Sequence, residues 1–505
     1  MNRILCIFLV LLIYVQPYLF GQPDGKDTQS AKQSVEFVSQ GNVTIDGRNI
    51  SYTARAGTLE LRDDQNKPVA YFGFTSYMVN DGKDKTRPIL FAYNGGPGSS
   101  SFWLHMGILG PRRVVVNDPD FTPASPYSVE SNPYSILDMA DLVMMDPVGT
   151  GLSIPAGEKE FKDFWGVDQD IWSISLFIKQ FLIQNGRMNS PKFLLGESYG
   201  TFRNAGVMEN LLRWGVAMNG VIMVSAVFDL RTLIFPPGED LSYIVHFPTY
   251  AATSWYHNKV KDKKENLEEF IDEVRNFTEV EYVPALFKGN RLSANEKQYM
   301  ASRLASYTGI GDDFWMKANL RVTAGEYFQE LMREEGKTVG RLDSRYLGVN
   351  QDLLNRTAEY DPQSLAISPA YISGFLDYFY GELGVDRKLH YQTSAGSRSG
   401  FRWDWSHTGN QRWNTQAAIS TAEDMARAMT RDPNMKVLIM NGYYDLATVF
   451  YGVEYTLDHL KMPPEIRENI QMTYYEAGHM MYTHYPSLVQ CKEDLKEFIL
   501  KTMKR

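Results

Sequence analysis

A serine stands at the centre of the pentapeptide GESYG, residues 196–200. A short apolar run, residues 192–195, precedes it, and a helix-compatible run, residues 201–213, follows it. The G-x-S-x-G pattern in this setting predicts a sharp strand-to-helix turn that exposes Ser198 above a parallel sheet. Glycines at both flanks favour such a turn, because a Cβ there would clash where the strand and the helix approach each other.

A serine hydroxyl becomes an effective nucleophile when a histidine takes its proton and a carboxylate holds that histidine in the correct tautomer. On a strand-serine-helix turn of this kind the chain order is Ser, then Asp or Glu, then His. Asp445 follows a predicted strand at residues 436–440, and His479 follows the last predicted strand, at residues 470–475. We therefore expect Ser198, Asp445 and His479 to meet.

Two other histidines follow Asp445. His459 lies in a helical pattern and is expected to be a surface or packing residue, whereas His484 remains the alternative base. Asp445 itself has a plainer interpretation as a turn or helix-capping aspartate.

An attacked carbonyl develops negative charge, which two backbone N–H groups can stabilise. The first is expected from Tyr199, the residue after the serine, and the second from a glycine-rich loop after an earlier strand. Residues 94–98, Asn-Gly-Gly-Pro-Gly, form such a loop. A tight turn is its alternative role.

Short continuous apolar runs separated by helical patterns predict an α/β fold with a mostly parallel central sheet and helices on both faces. The runs begin at residue 88 and recur up to residue 475, after antiparallel strands near residues 36–79. Between residues 228 and 413 this rhythm gives way to helical patterns. We predict a signal peptide (1–21), a core in two parts (22–227 and 414–505) and a mostly helical cap insertion (228–413).

The start of the chain has one early arginine, Arg3, an apolar run over residues 4–14, and a small residue at Gly21. This is a signal-peptide layout and predicts an exported protein, periplasmic or extracellular, without stable membrane insertion after cleavage. An uncleaved anchor is the alternative. Cleavage would remove Cys6 and leave Cys491 alone, which favours a bacterial envelope over the eukaryotic secretory route.

A net charge of -9 and a pI near 5.5 argue against a nucleic-acid partner, because such proteins carry clustered basic surfaces. No His/Cys/Asp cluster has metal-ligand spacing, so neither a metal nor another cofactor is expected.

Five motifs together resemble the serine carboxypeptidase family of α/β-hydrolases, as a bacterial-type member. They are FAYNGGPGSSS, MDPVGTGLS, GESYG, NGYYDLAT and AGHMM. The resemblance covers about residues 88–225 and 436–482 and implies cleavage of single residues from a peptide's free C-terminus through an acyl-enzyme.

The resemblance also implies individual roles. Ser198 would be the nucleophile, His479 the base and Asp445 its orienter, with Gly96 and Tyr199 as oxyanion donors. Asn94 and Glu197 would bind the substrate's terminal carboxylate, which requires a protonated Glu197 that donates a hydrogen bond.

The chain departs from the family pattern at four positions: Ala92 replaces a tryptophan, Ile108 a glutamate, and Ser99 and Thr448 cysteines. The first two remove part of the carboxylate clamp. Arg203 has two alternative roles, a substrate-binding cation or a buried ion pair. The cap aromatics Tyr378, Phe379, Trp403 and Trp405 line a pocket in one interpretation and pack a core in the other.

The leading hypothesis is thus a secreted serine-type carboxypeptidase. An esterase, acyltransferase or aminopeptidase on the same scaffold is the second, because Ala92 and Ile108 weaken the exopeptidase pattern. A non-catalytic binding protein is the third.

Overall fold

The computed structural model describes residues 34–261, 263–407 and 419–504. The predicted signal peptide, residues 1–21, and the predicted boundary at residues 413–414 lie outside these residues. The strands are β1 Glu36–Ile45, β2 Arg48–Arg62, β3 Pro68–Val79, β4 Ile89–Tyr93, β5 Arg112–Val115, β6 Ser128–Ser131, β7 Asp141–Met145, β8 Ile154–Pro155, β9 Lys192–Glu197, β10 Gly220–Val224, β11 Lys337–Val339, β12 Leu347–Val349, β13 Lys436–Gly442 and β14 Ile470–Tyr475.

The helices lie between and after these strands. They are α1 Phe102–Leu104, α2 Val167–Gln184, α3 Tyr199–Arg213, α4 Leu241–Tyr256, α5 Leu267–Phe277, α6 Val283–Lys288, α7 Ala294–Thr308, α8 Asp312–Lys317, α9 Ala324–Glu330, α10 Pro362–Gly381, α11 Ala422–Arg431, α12 Phe450–Asp458, α13 Pro464–Arg467 and α14 Tyr485–Met503.

The main sheet has the order β1-β2-β3-β7-β4-β9-β10-β13-β14, with β8 paired to β3. The strands from β1 to β3 are antiparallel to their neighbours, and β3 is antiparallel to β7. From β7 to β14 every pair is parallel. The predicted α/β class with a mostly parallel sheet is confirmed.

Both faces of the parallel strands are covered, which explains why these strands read as continuous apolar runs. On β4, Leu90 packs into one core together with Phe375 of α10, while Phe91 packs into another core on the opposite face, together with Phe177 of α2. A third core lies mainly within residues 245–339 and also includes Phe450 of α12.

Between β10 and β13 the described residues are mostly helical, as the sequence analysis predicts. They also contain one small antiparallel hairpin, β11–β12, which the patterns did not indicate. Each of its strands has three residues, too few for an alternating pattern to be recognised.

The residues expected to carry out chemistry follow different strands at the same edge of the sheet. Asn94 follows β4, Ser198 follows β9, Asp445 follows β13 and His479 follows β14. Parallel strands end at a common edge, and loops there meet over the sheet. These four residues, far apart in the chain, are thereby brought to the same edge of the sheet.

Candidate active site

The turn at Ser198 has the geometry that the pentapeptide predicts. Ser198 has φ 60° and ψ -129°, a conformation that lies outside both helix and strand, between the end of β9 and the start of α3. A Cβ on Gly196 would lie 2.4 Å from the carbonyl oxygen of Gly200, so glycine is required there. The Ser198 N–H donates to the Val224 carbonyl at 2.9 Å, which ties the turn to β10.

His479 and Asp445 form a buried pair. Nδ1 of His479 lies 2.7 Å from Oδ2 of Asp445. Oδ1 of Asp445 accepts the backbone N–H groups of Ala447 and Thr448 at 2.8 and 2.9 Å. An Nδ1–H that donates to the carboxylate leaves Nε2 free to accept a proton.

Thr448, one of the departures from the family pattern, supports this pair. Its hydroxyl donates to Oδ2 of Asp445 at 2.7 Å and lies 3.2 Å from Nδ1 of His479. The pKa of His479 is affected most by burial, which lowers it, but the Asp445 carboxylate outweighs burial and the net shift is upward.

Ser198 and His479 line the same cavity, which has a volume of about 390 Å³. Its polar base contains Asn94 and Glu197, and its aromatic wall contains Phe401, Trp403 and Trp405. The other lining residues are Gly95, Gly96, Pro97, Ser99, Phe102, Trp103, Arg341, Leu342, Ser364, Ile367, Ser368, Ile372, Thr393, Ser394, Gly396 and Met480.

Glu197 and Asn94 are in direct contact. Nδ2 of Asn94 donates to Oε1 of Glu197 at 2.9 Å, and Oδ1 of Asn94 accepts the Leu104 N–H at 3.0 Å. Burial raises the pKa of Glu197 to about 7, against the opposing effects of His479, Tyr482 and Asn94. Oε2 of Glu197 is buried without a hydrogen-bond partner among the described residues, so it is available to a ligand.

The glycine-rich loop packs against the start of α3. A Cβ on Gly95 would lie 2.5 Å from the backbone nitrogen of Tyr199 and 2.6 Å from that of Gly200. Gly96 has φ 108°, which favours glycine, and it lines the cavity. The two predicted sources of oxyanion donors, Gly96 and Tyr199, therefore lie on adjoining segments beside Ser198.

A segment of the insertion passes between the loops that carry Asp445 and His479. We call residues 340–346 the strap. The His479 N–H donates to the Leu342 carbonyl at 2.6 Å, and the Leu446 N–H donates to the Arg341 carbonyl at 3.1 Å. The Gly478 N–H donates to Asp343 at 3.0 Å. The strap thus positions both members of the His-Asp pair.

Comparison with known families identifies the chain. Residues 46–488 match the model of the serine carboxypeptidase family. The chain belongs to this family.

Two carboxypeptidases illustrate the membership. The pheromone-processing carboxypeptidase KEX1 of Lodderomyces elongisporus is 26% identical over 199 residues, which are 39% of this chain and 26% of that relative. The aligned part is thus about a quarter of the relative's length. The crystal structure of a prohormone-processing carboxypeptidase from Saccharomyces cerevisiae superposes with a TM-score of 0.53 at 16% identity, over 89% of this chain and 91% of that one. This likeness supports the predicted α/β-hydrolase fold.

Against the family pattern, the two positions of the carboxylate clamp are apolar and buried. Ala92 is 0% exposed and Ile108 is 4% exposed. Next to Ile108, Gly107 leaves room for Tyr482, whose ring lies 2.3 Å from where a Cβ on Gly107 would be. Tyr482 lowers the pKa of Glu197. The Tyr482 hydroxyl, like Oε2 of Glu197, has no hydrogen-bond partner among the described residues.

Arg203 does not fit the substrate-binding role. Its side chain is 0% exposed, lies outside the cavity lining, and donates to Asp170 at 2.6 Å. It also donates to the Asn94 carbonyl at 3.0 Å and lies over the rings of Tyr93 and Tyr199. A guanidinium this deeply buried needs an acidic partner, and the structure provides the ion-pair alternative.

The aromatic residues of the insertion divide between the two interpretations. Trp403 and Trp405 line the cavity, whereas Tyr378 and Phe379 are buried in the core beneath α10. Near the wall, His407 bridges Asp168 of α2 and Asp424 of α11, with its ring nitrogens 2.5 and 2.8 Å from their carboxylates. This bridge attaches the aromatic wall to the core.

The two alternative histidines lie elsewhere. His459 follows α12 and stacks on Tyr455 at 3.9 Å. Nδ1 of His484 lies 2.8 Å from the Ser487 hydroxyl, and His484 is not part of the cavity lining.

Three residues with roles around the site were missed from the sequence: Arg341, Thr448 and Tyr482. The motif NGYYDLAT included Thr448, but only as a position where a family cysteine is absent. No pattern around Arg341 or Tyr482 marked them, because each reaches the site through packing between distant segments.

Among the described residues no group of His, Cys, Asp and Glu side chains could hold a metal ion. None of the described helices is both long and apolar enough to cross a membrane.

Proposed function

We propose that this protein is a serine carboxypeptidase that removes C-terminal residues from peptides with a free terminal carboxylate. The observation that carries the proposal is the arrangement around one cavity. The buried His479–Asp445 pair, the strained Ser198 turn and the Asn94–Glu197 pair all meet there.

In the proposed mechanism Oγ of Ser198 attacks the scissile carbonyl while Nε2 of His479 takes its proton. Asp445 keeps Nδ1 protonated and stabilises the imidazolium. The backbone N–H groups of Gly96 and Tyr199 bind the oxyanion, and His479 then protonates the departing amine. A water molecule, activated by His479, hydrolyses the acyl-enzyme.

The Asn94–Glu197 pair would bind the terminal carboxylate. An Asn94 N–H and a protonated Glu197 can both donate hydrogen bonds to an anion, whereas an ionised Glu197 would repel it. The raised pKa of Glu197, about 7, keeps the side chain protonated in acid. The proposed activity on peptide acids should therefore decline as the pH rises through about 7.

We further propose that residues 1–21 direct export to the periplasm or the extracellular space, and that residues 228–413 form a cap over a two-part core. The arrangement of helices in the described part of that insertion, with a core of its own, supports the division.

Paired substrates test the function. The wild type should release the C-terminal residue from free-acid peptides and act far more weakly on the same peptides with an amidated C-terminus. Ser198→Ala should abolish release, and a fluorophosphonate should label the wild type but not this variant. Release that persists in Ser198→Ala would contradict the mechanism.

Ala92 and Ile108 favour a second candidate, an esterase or acyltransferase on the same scaffold, because both are buried apolar residues at positions where the family carries its clamp residues. Hydrolysis of simple esters together with no preference for the free acid would support that candidate.

A further inference from the structure

Arg341 is a cation on the wall of the cavity that the proposed mechanism does not use. It lines the same space as Ser198 and His479 and is half-buried. Within the part of the chain that the structure describes, its guanidinium makes no ion pair and no hydrogen bond. Arg321 and Arg275, which are also partly buried, differ because each pairs with a carboxylate, at 2.6 and 2.5 Å.

The backbone beneath Arg341 is held in place by its neighbours. The Arg341 carbonyl accepts the Leu446 N–H at 3.1 Å, next to Asp445. The following residue, Leu342, donates its N–H to Asp361 at 3.0 Å and accepts the His479 N–H at 2.6 Å. The side chain of Arg341 therefore starts from an anchored point beside the catalytic histidine.

The charge of Arg341 affects the pKa of Asp361. Burial raises the pKa of Asp361, and the Arg341 charge opposes that rise. The Asp361 carboxylate is already occupied, because it accepts N–H groups from Leu342, Gln363 and Ser364. It caps α10 and does not neutralise the guanidinium by direct contact.

A partly desolvated arginine without a partner is costly unless a ligand supplies the anion. Ser364 and Ser368 of α10, the helix that Asp361 caps, line the same cavity. A carboxylate that enters the cavity on this side would therefore find a planar guanidinium and hydroxyl groups.

Two carboxylates of a peptide substrate could reach the cavity: the terminal one and an acidic side chain. Asn94 and Glu197 lie at the carboxyl ends of β4 and β9. The Arg341 carbonyl is instead bound by the loop after β13, and β13 lies on the opposite side of β9 from β4 in the sheet. We infer that Arg341 lies across Ser198 from Asn94, which together with Glu197 would hold the terminal carboxylate.

We propose that Arg341 selects peptides with an acidic residue on the acyl side of the scissile bond, that is, Asp or Glu as the next-to-last residue. This inference rests on the proposed carboxypeptidase function and adds a substrate class to it. Arg341 is a specificity-determining residue and not part of the bond-breaking machinery.

The test uses pairs of blocked peptide acids that differ only in the next-to-last residue, Glu against Gln and Asp against Asn. At pH 6 the acidic side chains are ionised, so each pair isolates one charge at nearly constant shape. The wild type should show a kcat/KM about tenfold higher for the acidic member, as expected for a charge-assisted hydrogen bond in a half-exposed site.

Arg341→Gln should reduce this ratio to about one while kcat/KM for the Gln and Asn peptides changes by less than about threefold. Arg341→Lys should keep most of the preference, and it provides the decisive comparison if Arg341→Gln does not fold. The control Arg213→Gln, at an exposed position on α3, should behave as the wild type.

Two results would overturn the inference. They are equal rates on the acidic and neutral peptides by the wild type, and an equal loss on both by Arg341→Gln. The first of these, with peptide acids still cleaved, leaves the proposed function intact. Failure to cleave any peptide acid would instead contradict the proposed function itself.

Discussion

At the scale of single residues, the proposed function needs Glu197 with its proton and His479 without one, and these conditions favour opposite directions of pH. The proposed chemistry needs a neutral His479 to take a proton, while binding of a terminal carboxylate needs a protonated Glu197. The pKa of His479 is shifted upward by Asp445, and burial raises the pKa of Glu197 to about 7. Each charge acts on the other group, so the two titrate as a pair.

We therefore predict a bell-shaped pH dependence of kcat/KM for peptide acids. Activity rises as His479 loses its proton and falls as Glu197 loses its own, with the fall near pH 7. Glu197→Gln cannot ionise, so the alkaline fall should disappear and the rate at pH 8 should exceed that of the wild type. Steady-state kinetics from pH 4 to pH 9 measures both limbs.

Ester substrates without a free carboxylate provide an internal comparison, since their alkaline limb should not depend on Glu197. Glu130→Gln, at an exposed position on β6, is the matched control. An alkaline fall that survives unchanged in Glu197→Gln would assign that ionisation to another group.

At the scale of elements, the site is made by turns at the carboxyl ends of strands. The β9–α3 turn presents Ser198, and the loop after β4 lies against the first residues of α3. The contact is between backbones, and neither segment can rotate away as a flexible side chain could. The positions of the oxyanion donors therefore depend on the absence of a Cβ at Gly95.

Gly95→Ala tests this contact. The added methyl group would lie 2.5 Å from the Tyr199 nitrogen, so the loop must move away from α3. Loss of a positioned oxyanion donor lowers kcat by about 10²- to 10³-fold. Gly381→Ala is the control, because nothing lies within 4 Å of its added Cβ.

Both variants are compared by kcat on a peptide acid and by circular dichroism. A Gly95→Ala protein that folds normally and keeps full activity would show that this loop does not set the oxyanion site.

At the scale of the whole molecule, residues between β10 and β13 contribute to the site. The strap joins the loops of Asp445 and His479, and Arg345 pairs it with Asp118 outside the strap. Arg345 lies 2.6 Å from Asp343 and 2.7 Å from Asp118, and Asp343 is 0% exposed. A Cβ on Gly478 would lie 2.4 Å from that of Asp343, so the strap fits tightly against the histidine loop.

Arg345→Leu should consequently destabilise the protein by about 3–5 kcal/mol, because it leaves the buried Asp343 carboxylate without its cation. Chemical denaturation measures the loss in the free energy of unfolding. The matched control is Arg321→Leu, whose partly exposed pair with Asp240 should contribute only about 0–1 kcal/mol. Equal effects of the two substitutions would contradict a special role for Arg345.

The amino-acid sequence by itself determined the local parts of this protein. Continuous apolar runs predicted the parallel strands, and β14 has the bounds 470–475 that its run indicated. The pentapeptide around Ser198 predicted the strained turn, and chain order pointed to Asp445 and His479. The strand and turn predictions agree with the structure because strand burial and turn geometry depend on neighbouring residues. The catalytic roles of Asp445 and His479 stay predictions.

Only the tertiary structure decided which segments far apart in the sequence contact one another. It paired Arg203 with Asp170, which no spacing could establish over the other alternative. It placed the strap between two loops about a hundred residues further along the chain and set Tyr482 beside Glu197. It also left Arg341, at the cavity, without an ion pair to any residue that the structure describes. Such contacts arise from packing among elements far apart in sequence, so no local pattern records them.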